Sequence, residues 1–283
     1  MAHIVRRFLL VGLSTLLLAC GGQADPSPSL QPSPDKQQEV GQPPAPALPA
    51  PAGQQLAGIV ADDAAGLYAV LAAEEGIAEA TRVRTNFWLA DYRPTGRWAA
   101  PGEVFSVEVG AVRPDVKVSL LVGAWGDRAR ATAGDSTQAK PSEYPLNPGV
   151  HTIADPIGGS IHVRVVTLGG DEALNAEVRL RIDGARRLPI YRSGIDSLTG
   201  WRAAVAGTDA PFVEVLTNRA LLTLPTAEVR ALLAQESEAA LARAIQALDD
   251  MAASHDTVAG LTAAAGVHRP RANLLHFTAH WDS

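Results

Sequence analysis

The sequence predicts a mainly β fold: an antiparallel β-sandwich with flanking α-helices, preceded by a signal peptide and a disordered proline-rich linker. Through the middle of the chain, apolar residues recur at every second position with polar residues between them, a period typical of strands with one buried face. Short clusters of Gly, Pro, Asn and Asp separate these runs, as turns between strands require. Apolar residues at helical spacing lie before and after the strand-rich block, which predicts the flanking helices.

The composition is that of a globular protein. Of the 283 residues, 47% are hydrophobic and 19% are charged, which excludes disorder over most of the length. The formal net charge of −6 provides no basic excess to neutralise phosphates, so we expect no nucleic-acid partner. The chain has one cysteine, which excludes an internal disulfide and a cysteine-based zinc site.

Residues 1–20 have the pattern of a lipoprotein signal peptide. Arg6 and Arg7 precede a mostly apolar stretch at 8–19, which is too short to remain as a membrane span. The stretch ends Leu-Leu-Ala directly before Cys20 and resembles the lipobox of bacterial lipoproteins, whose cysteine is lipidated. We therefore expect a membrane anchor at Cys20, with Gly21 favouring the outer membrane or cell surface. The alternative is an ordinary signal peptide with a chance cysteine.

Residues 21–55 are predicted to be a disordered linker. Nine of the twenty prolines lie between Pro26 and Pro51, mixed with Ser, Gln and Ala. Such a segment has little apolar surface to bury and tends toward extended polyproline II structure. It would hold the folded domain away from the membrane.

Residues 56–84 are predicted to be an N-terminal helical segment. Apolar residues follow helical spacing from Leu56 to Leu71, which predicts a helix over about residues 55–80. Gly66 weakens this helix in the middle.

Residues 85–225 contain the alternating runs of the predicted sandwich. Each run places apolar side chains on one face of a strand and polar side chains on the other. Turn residues between the runs favour antiparallel pairing. The inward rows of two strands are Phe105, Val107 and Val109, and Val118, Leu120 and Val122. The predicted strands lie at residues 105–111, 116–124, 161–165, 178–182, 212–216 and 220–224.

Residues 226–283 are predicted to begin with a helix that follows Pro225. Thr226 is placed to act as its N-cap, and Glu228 lies in the first turn, where a negative charge is favourable. An apolar stripe from Val229 to Met251 gives the helix one face to bury.

A series of motifs resembles a known family in sequence order. The run Arg-Pro-Thr-Gly-Arg-Trp at 93–98, which leads into the strand at 104–109, resembles the segment that opens the sandwich of the enhancin-like zinc metallopeptidases, peptidase family M-60. That family includes mucin-degrading and immunomodulating proteases. The resemblance covers residues 85–283 and implies the front half of a peptidase unit, with mucin-like glycoproteins as substrates. The later motifs lie at residues 158–163, 178–185, 209–214, 221–225, 258–261 and 268–269.

The zinc motif of that family is not in this sequence. The family's signature is H-E-x-x-H with a later Glu, and none of the seven histidines here is followed by a glutamate. The resemblance thus implies a non-catalytic N-terminal portion, truncated before the motif. This portion is expected to be inactive and to hold no cofactor, whereas the full-length family holds zinc. Two alternatives remain open: a stand-alone surface lipoprotein that binds glycans or glycoproteins, and a structural surface lipoprotein.

His276 and His280 have the spacing of metal ligands. Four residues apart, they would share one face of a helix and could bind a metal ion. Phe277, however, occupies the position where a glutamate would act as general base. Asp282 follows His280 too closely to converge on the same ion. We therefore reject this pair as a metal site.

Three aromatic residues are candidates for glycan binding. Trp88, Tyr92 and Trp98 cluster near the entrance of a predicted strand, where their rings could stack on sugars. The alternative is that they line the rim of the sandwich core, which is the commoner use of such residues.

Overall fold

The computed structural model describes residues 47–85, 89–125, 140–167, 174–262 and 266–278. The predicted lipid-attachment residue Cys20 and the candidate residues Trp88 and His280 lie outside these ranges. Within them, none of the helices is both long enough and apolar enough to span a membrane.

The described ranges contain sixteen strands and four α-helices. The strands are β1 (Gln55–Leu56), β2 (Ile59–Asp62), β3 (Leu67–Leu71), β4 (Leu89–Ala90), β5 (Tyr92–Ala99), β6 (Val104–Val109), β7 (Val116–Val122), β8 (Ser142–Leu146), β9 (Gly149–Ala154), β10 (Gly159–Thr167), β11 (Glu177–Asp183), β12 (Arg186–Arg187), β13 (Ile190–Arg192), β14 (Phe212–Leu216), β15 (Ala220–Pro225) and β16 (Leu274–Thr278). The helices are α1 (Gly76–Arg82), α2 (Leu198–Gly207), α3 (Thr226–Gln235) and α4 (Glu238–Val258).

Two antiparallel sheets form the predicted sandwich. The first has the strand order β1-β2-β3-β11-β6-β9, and the second has the order β12-β5-β10-β7-β8. Apolar side chains from both sheets share one hydrophobic cluster, as expected for two sheets packed face to face. The inward rows predicted on β6 and β7 all lie in this cluster, each residue at most 5% exposed. The mainly β fold with its antiparallel sandwich is therefore confirmed.

A third sheet, with the order β13-β14-β15-β16-β4, lies against the second. It is mixed, because β13 pairs with β14 and β15 pairs with β16 in parallel. One face packs on the helices through a cluster that includes Trp201, Val213 and Leu222. The alternate residues Leu216 and Leu221 belong to the sandwich cluster instead. The third sheet therefore joins the helices to the sandwich.

The single helix predicted over residues 55–80 is wrong, because strands β1, β2 and β3 lie between residues 55 and 71, and helix α1 begins only at Gly76. Ala57 and Gly58 have φ angles of 52° and 80°, and two positive φ angles in succession are the mark of a type I′ hairpin turn. Gly66, with φ of 63°, turns the chain again between β2 and β3. A Cβ at Gly66 would lie 2.5 Å from the Ile182 carbonyl oxygen. These turns let the apolar residues of the segment pair as strands, and Tyr68 is fully buried.

The folded domain begins before residue 55, where the linker was predicted to end. Leu48 is buried, and its Cδ1 atom lies close to Gly110. The Leu48 carbonyl oxygen accepts a hydrogen bond from Arg179 Nη1 at 3.2 Å. Leu48 is therefore anchored on the first sheet.

The helix predicted after Pro225 is divided into α3 and α4. Thr226 is the first residue of α3 rather than its N-cap, and its hydroxyl donates to the Ala210 carbonyl at 2.6 Å. Ser237 begins the second helix by accepting a hydrogen bond from the Ala240 N–H, as an N-cap does. The capping residue that divides the predicted helix is thus Ser237.

Candidate functional site

A set of polar side chains lies between the second and third sheets, and we call it the seam network. Its position follows from the pleat of the strands, since successive side chains point to opposite faces. On β10, Ile161 and Val163 point into the sandwich core, so the residue between them points toward the third sheet. The network consists of Tyr92 on β5, His162 on β10, Glu214 on β14, Thr223 on β15 and His276 on β16.

Hydrogen bonds in the seam network cross from one sheet to the other. His162 Nε2 donates to Glu214 Oε1 at 2.7 Å. His276 Nδ1 lies 2.5 Å from Tyr92 Oη, and His276 Nε2 lies 2.9 Å from Thr223 Oγ1. The Tyr92 ring centroid is 5.2 Å from that of His162 and 5.6 Å from that of His276. The seam network therefore joins the second sheet to the third through two direct side-chain hydrogen bonds.

Burial determines the charge states of two members. Burial, together with the nearby His162, lowers the pKa of His276 to about 3, so this imidazole is neutral at pH 7. Burial also raises the pKa of Tyr92 well above its usual value, and the carboxylates of Asp91 and Glu214 raise it further. Tyr92 therefore keeps its proton. A neutral imidazole accepts at one nitrogen and donates at the other, and the hydroxyls of Tyr92 and Thr223 supply both complementary partners.

The seam network is suited to holding two layers together. Glu214 is 0% exposed and His162 is 1% exposed, so a substrate cannot reach either side chain. The second carboxylate oxygen of Glu214, Oε2, makes no hydrogen bond within the described part of the chain. The hydrogen bond from His162 therefore has to offset the cost of burying this carboxylate. Removing one partner of such a buried pair is strongly destabilising.

A second buried carboxylate fixes the segment that precedes β16. Glu79 on α1 is 0% exposed and accepts the backbone N–H groups of Ala272 and Asn273, both at 2.9 Å. It also forms an ion pair with Arg82 at 2.8 Å. Hydrogen bonds to ionised groups are among the stronger ones in proteins, so Glu79 sets where the chain enters the third sheet.

Arg93, from the motif at 93–98, ties the same segment to the sandwich. Its guanidinium donates to the carbonyl oxygens of Ala90 at 3.2 Å and Ala272 at 2.8 Å, and Nε donates to Ala57. Burial lowers the pKa of Arg93 to about 10, which leaves it charged at neutral pH. The arginine therefore satisfies carbonyl groups of three chain segments at once.

The structure corrects the glycan-binding interpretation for two of the three aromatic residues. Tyr92 is 2% exposed and Trp98 is 6% exposed. Trp98 packs against Leu188 and Ala210, and the Arg186 guanidinium lies 5.2 Å from the centroid of its ring. Neither ring has a face open to a sugar. Tyr92 and Trp98 therefore occupy core positions, which was the alternative to glycan binding. The third candidate, at position 88, lies outside the described residues.

His276 lies on strand β16 and not on a helix. The shared helical face that made His276 and His280 resemble metal ligands therefore does not exist at His276. The second histidine is outside the described residues.

The described residues do not fit the zinc ion of the M-60 family. Nowhere in the described ranges do three His, Cys, Asp or Glu side chains come close enough together to hold a metal ion. Both ring nitrogens of His276 are engaged by Tyr92 and Thr223, and Glu214 faces His162. The sequence contains no H-E-x-x-H motif either. No step through a metal can be assigned to these residues.

The sequence analysis missed most of the seam network. A local signal existed for Glu214, the single charged residue in an otherwise apolar run at 212–216, and for His162 in the polar row of its strand. The pairing itself joins residues 52 positions apart. The alternation therefore indicated which strand face carries His162 but not the sheet that covers it.

Two family models match the chain in succession. The N-terminal domain of M60-like peptidases matches residues 76–180, and Peptidase M60, enhancin and enhancin-like, matches residues 184–280. The first match ends within β11, the last strand of the sandwich core. The second contains strands β13 to β16 of the third sheet, together with α2, α3 and α4. Among curated proteins, none matches the chain.

Solved structures share this fold at low sequence identity. A functionally unknown conserved protein from Bacillus anthracis str. Ames superposes with a TM-score of 0.62 at 20% identity, over 77% of this chain and 41% of that one. The ZmpB metallopeptidase from Clostridium perfringens gives 0.59 at 14%, over 75% and 44%. The M60 catalytic domain of ZmpC from the same organism, in complex with the sialyl T antigen, gives 0.60 at 13%, over 75% and 44%.

The chain spans about two fifths of the length of these solved structures. The matched models nevertheless extend over both parts of the fold, since the first contains most strands of the sandwich and the second contains β13 to β16 of the third sheet. On this evidence of sequence and fold, the chain belongs to the M60-like, enhancin-like peptidase family.

Proposed function

We propose that this chain supplies the scaffold portion of an M60-like peptidase that acts on mucin-like glycoproteins. The observation that carries the proposal is the seam network, which joins the sandwich of the N-terminal-domain match to the third sheet of the peptidase match. In this role the buried side chains fix the position of the peptidase sheet and perform no chemistry. The zinc of the family belongs with the H-E-x-x-H motif, which these residues lack.

Mucin digestion tests the absence of catalysis in these residues. The purified chain is incubated with mucin glycopeptides and analysed by mass spectrometry, with a full-length M60 peptidase as positive control. Zinc is measured after dialysis. We expect intact glycopeptides and no stoichiometric zinc, because the described residues provide no positioned base and no set of metal ligands. Cleavage by the wild type that is lost in His276→Ala would overturn the proposal.

The glycoprotein substrate is supported by two structural neighbours. One is the M60 catalytic domain of ZmpC in complex with the sialyl T antigen, and another is a metallopeptidase in complex with Tn antigen. Their identities of 13% and 15% to this chain leave the substrate here a proposal.

Binding to immobilised mucin separates the scaffold function from the alternative of a stand-alone glycan-binding lipoprotein. A scaffold that acts only within a larger peptidase unit should pass through the column. Retention that free N-acetylgalactosamine competes away would favour the stand-alone binder.

We further infer that the protein is held at the bacterial outer membrane or cell surface by a lipid on Cys20. The support is the Leu-Leu-Ala-Cys run after an apolar stretch too short to span a bilayer. Labelled palmitate should enter the wild type and not the Cys20→Ser variant. Equal labelling of both, or wild-type protein found only in the soluble fraction, would exclude the anchor.

A further inference from the structure

A cavity of about 350 Å³ opens beside the seam network. Its lining comes from helix α1, from β4 of the third sheet and from β5, β7, β8 and β10 of the second sheet. Tyr92 contributes to the wall, so the cavity and the seam network share one side chain. The volume lies at the lower end of the range for small-ligand sites, which suits one side chain or a small molecule.

The lining combines an apolar surface with carboxylates. Ile77 is 68% exposed, and Leu121 and Trp125 lie across from helix α1. Trp125 is partly buried and packs against the sandwich cluster. Glu75 and Glu143 stand at the rim, with side chains 56% and 48% exposed.

The charges at the cavity do not balance. Arg164 is engaged bidentately by Asp91, with contacts of 3.0 Å and 2.7 Å. Glu75 and Glu143 each reach the same guanidinium through Oε1, at 3.3 Å and 3.2 Å. Among the described lining residues, two cations, Arg164 and Lys140, stand against three carboxylates, those of Glu75, Asp91 and Glu143.

An excess carboxylate over an apolar and aromatic surface matches one class of ligand. An ammonium or guanidinium group is attracted to carboxylates and to the face of an indole. Its aliphatic stem packs on apolar side chains such as Ile77 and Leu121. An anionic group would instead be repelled by the half-exposed carboxylates of Glu75 and Glu143. The Arg164 guanidinium already donates to carboxylates through Nε, Nη1 and Nη2, so it is not free to bind an anion.

We propose that this cavity binds a cation carried on an aliphatic stem, such as the arginine or lysine side chain of an extended polypeptide. The cation lies beside the carboxylates of Glu75 and Glu143, and the stem lies on Ile77 and Trp125. The site is separate from the proposed scaffold function, because none of the seam hydrogen bonds has to change when it is filled.

Nuclear magnetic resonance of the indole N–H groups tests the site. The probe is N-acetyl-arginine amide, and the neutral isostere N-acetyl-citrulline amide is the control ligand. The Trp125 resonance is assigned with the Trp125→Phe variant. We expect a saturable shift of the Trp125 signal with a millimolar Kd. Binding of the citrulline probe should be about tenfold weaker, because it lacks the charge. Added salt should weaken binding of the arginine probe.

Paired variants test the carboxylates. Glu75→Gln with Glu143→Gln should weaken binding of the arginine probe about tenfold. Glu177→Gln with Asp115→Asn removes the same charge from exposed ion pairs elsewhere on the sandwich and should leave binding unchanged. Equal effects of the two double variants, or equal affinity for arginine and citrulline probes, would overturn the proposal.

Two further ligands identify the source of the cation. If a capped Ala-Arg-Ala tripeptide binds more tightly than spermidine, the ligand is a side chain of a polypeptide. If spermidine binds more tightly, the ligand is a free polyamine. Either result supports a cation-binding site. A Trp125 shift caused by N-acetylgalactosamine and unaffected by the Glu75 and Glu143 substitutions would show a sugar site instead and refute the inference.

Discussion

Replacement of Glu214 by alanine should cost about 3–5 kcal/mol of unfolding free energy, the usual consequence of removing one partner from a buried pair. Glu214 is 0% exposed and accepts from His162 Nε2 at 2.7 Å. The substitution leaves His162 buried at 1% exposure without this acceptor. A typical domain has about 5–15 kcal/mol of stability in total, so a large fraction would be lost.

Three comparison variants isolate the hydrogen bond from other effects. Glu214→Gln keeps an acceptor oxygen for His162 and should cost about 1 kcal/mol. Glu177→Ala removes an exposed carboxylate from the first sheet and should change stability by less than about 0.5 kcal/mol. A double-mutant cycle with His162→Ala should give a coupling energy of about 1–3 kcal/mol.

Urea unfolding, followed by circular dichroism and tryptophan fluorescence, measures these differences, provided that the slope with denaturant is unchanged. The reasoning would be refuted by a cost below about 1 kcal/mol for Glu214→Ala. Strict additivity with His162→Ala would refute it as well, because two residues in direct contact should couple.

Three further substitutions test the packing around the site by the same unfolding assay. Leu120→Ala should cost about 2–5 kcal/mol, since the side chain is fully buried in the sandwich; a loss within error would place the core elsewhere. Gly158→Ala should destabilise by more than about 1 kcal/mol, because φ is +72° and the new Cβ would lie 2.3 Å from the Ala99 carbonyl oxygen; a neutral result would mean that this turn can move. Ser237→Ala should cost about 1 kcal/mol by removing the acceptor for the Ala240 N–H; unchanged stability would show that the cap is not needed.

The sandwich could be predicted because its information is local. On β6, the alternation of Phe105, Val107 and Val109 with polar residues fixes which face is buried. Such a row must pack against another apolar face, whatever the rest of the chain does. The inward row on β7 is predictable in the same way.

The first three strands were mistaken for a helix because the apolar spacing from Leu56 to Leu71 fits both structures. The distinction rests on positive φ angles at Ala57, Gly58 and Gly66. Sequence alone does not reveal the φ of an alanine, and a lone glycine within an apolar pattern is compatible with a weakened helix. Pairing of β3 with β11 then decides the outcome from more than a hundred residues away.

The candidate site was the least predictable part, since its contacts are long-range. Tyr92 and His276 are 184 positions apart, and Glu79 reaches Asn273 over 194 positions. Neither pair belongs to a motif with fixed spacing. The parallel pairing that brings β16 beside β15 depends on a crossover through α3 and α4, so no local alternation encodes it.

The last prediction concerns the pH dependence of stability caused by His276. Burial and the nearby His162 lower its folded-state pKa to about 3 from its ordinary value of 6.5. As pH falls below about 6.5, the unfolded chain binds a proton at this site and the folded protein does not. Folding stability should therefore decrease with acidification, by up to about 1.4 kcal/mol per pH unit from this one group, until the pH approaches 3.

A comparison of the wild type with His276→Gln isolates this contribution from the carboxylates, which titrate in both proteins. The glutamine amide can still donate and accept within the seam network, but it does not titrate. Tyr92 stays protonated throughout this range, because its pKa is raised. Between pH 6.5 and pH 4, the wild type should lose about 2–3 kcal/mol more than the variant in urea unfolding. Parallel stability curves for the two proteins would contradict the prediction, since they would mean that His276 binds its proton equally well in the folded and unfolded states.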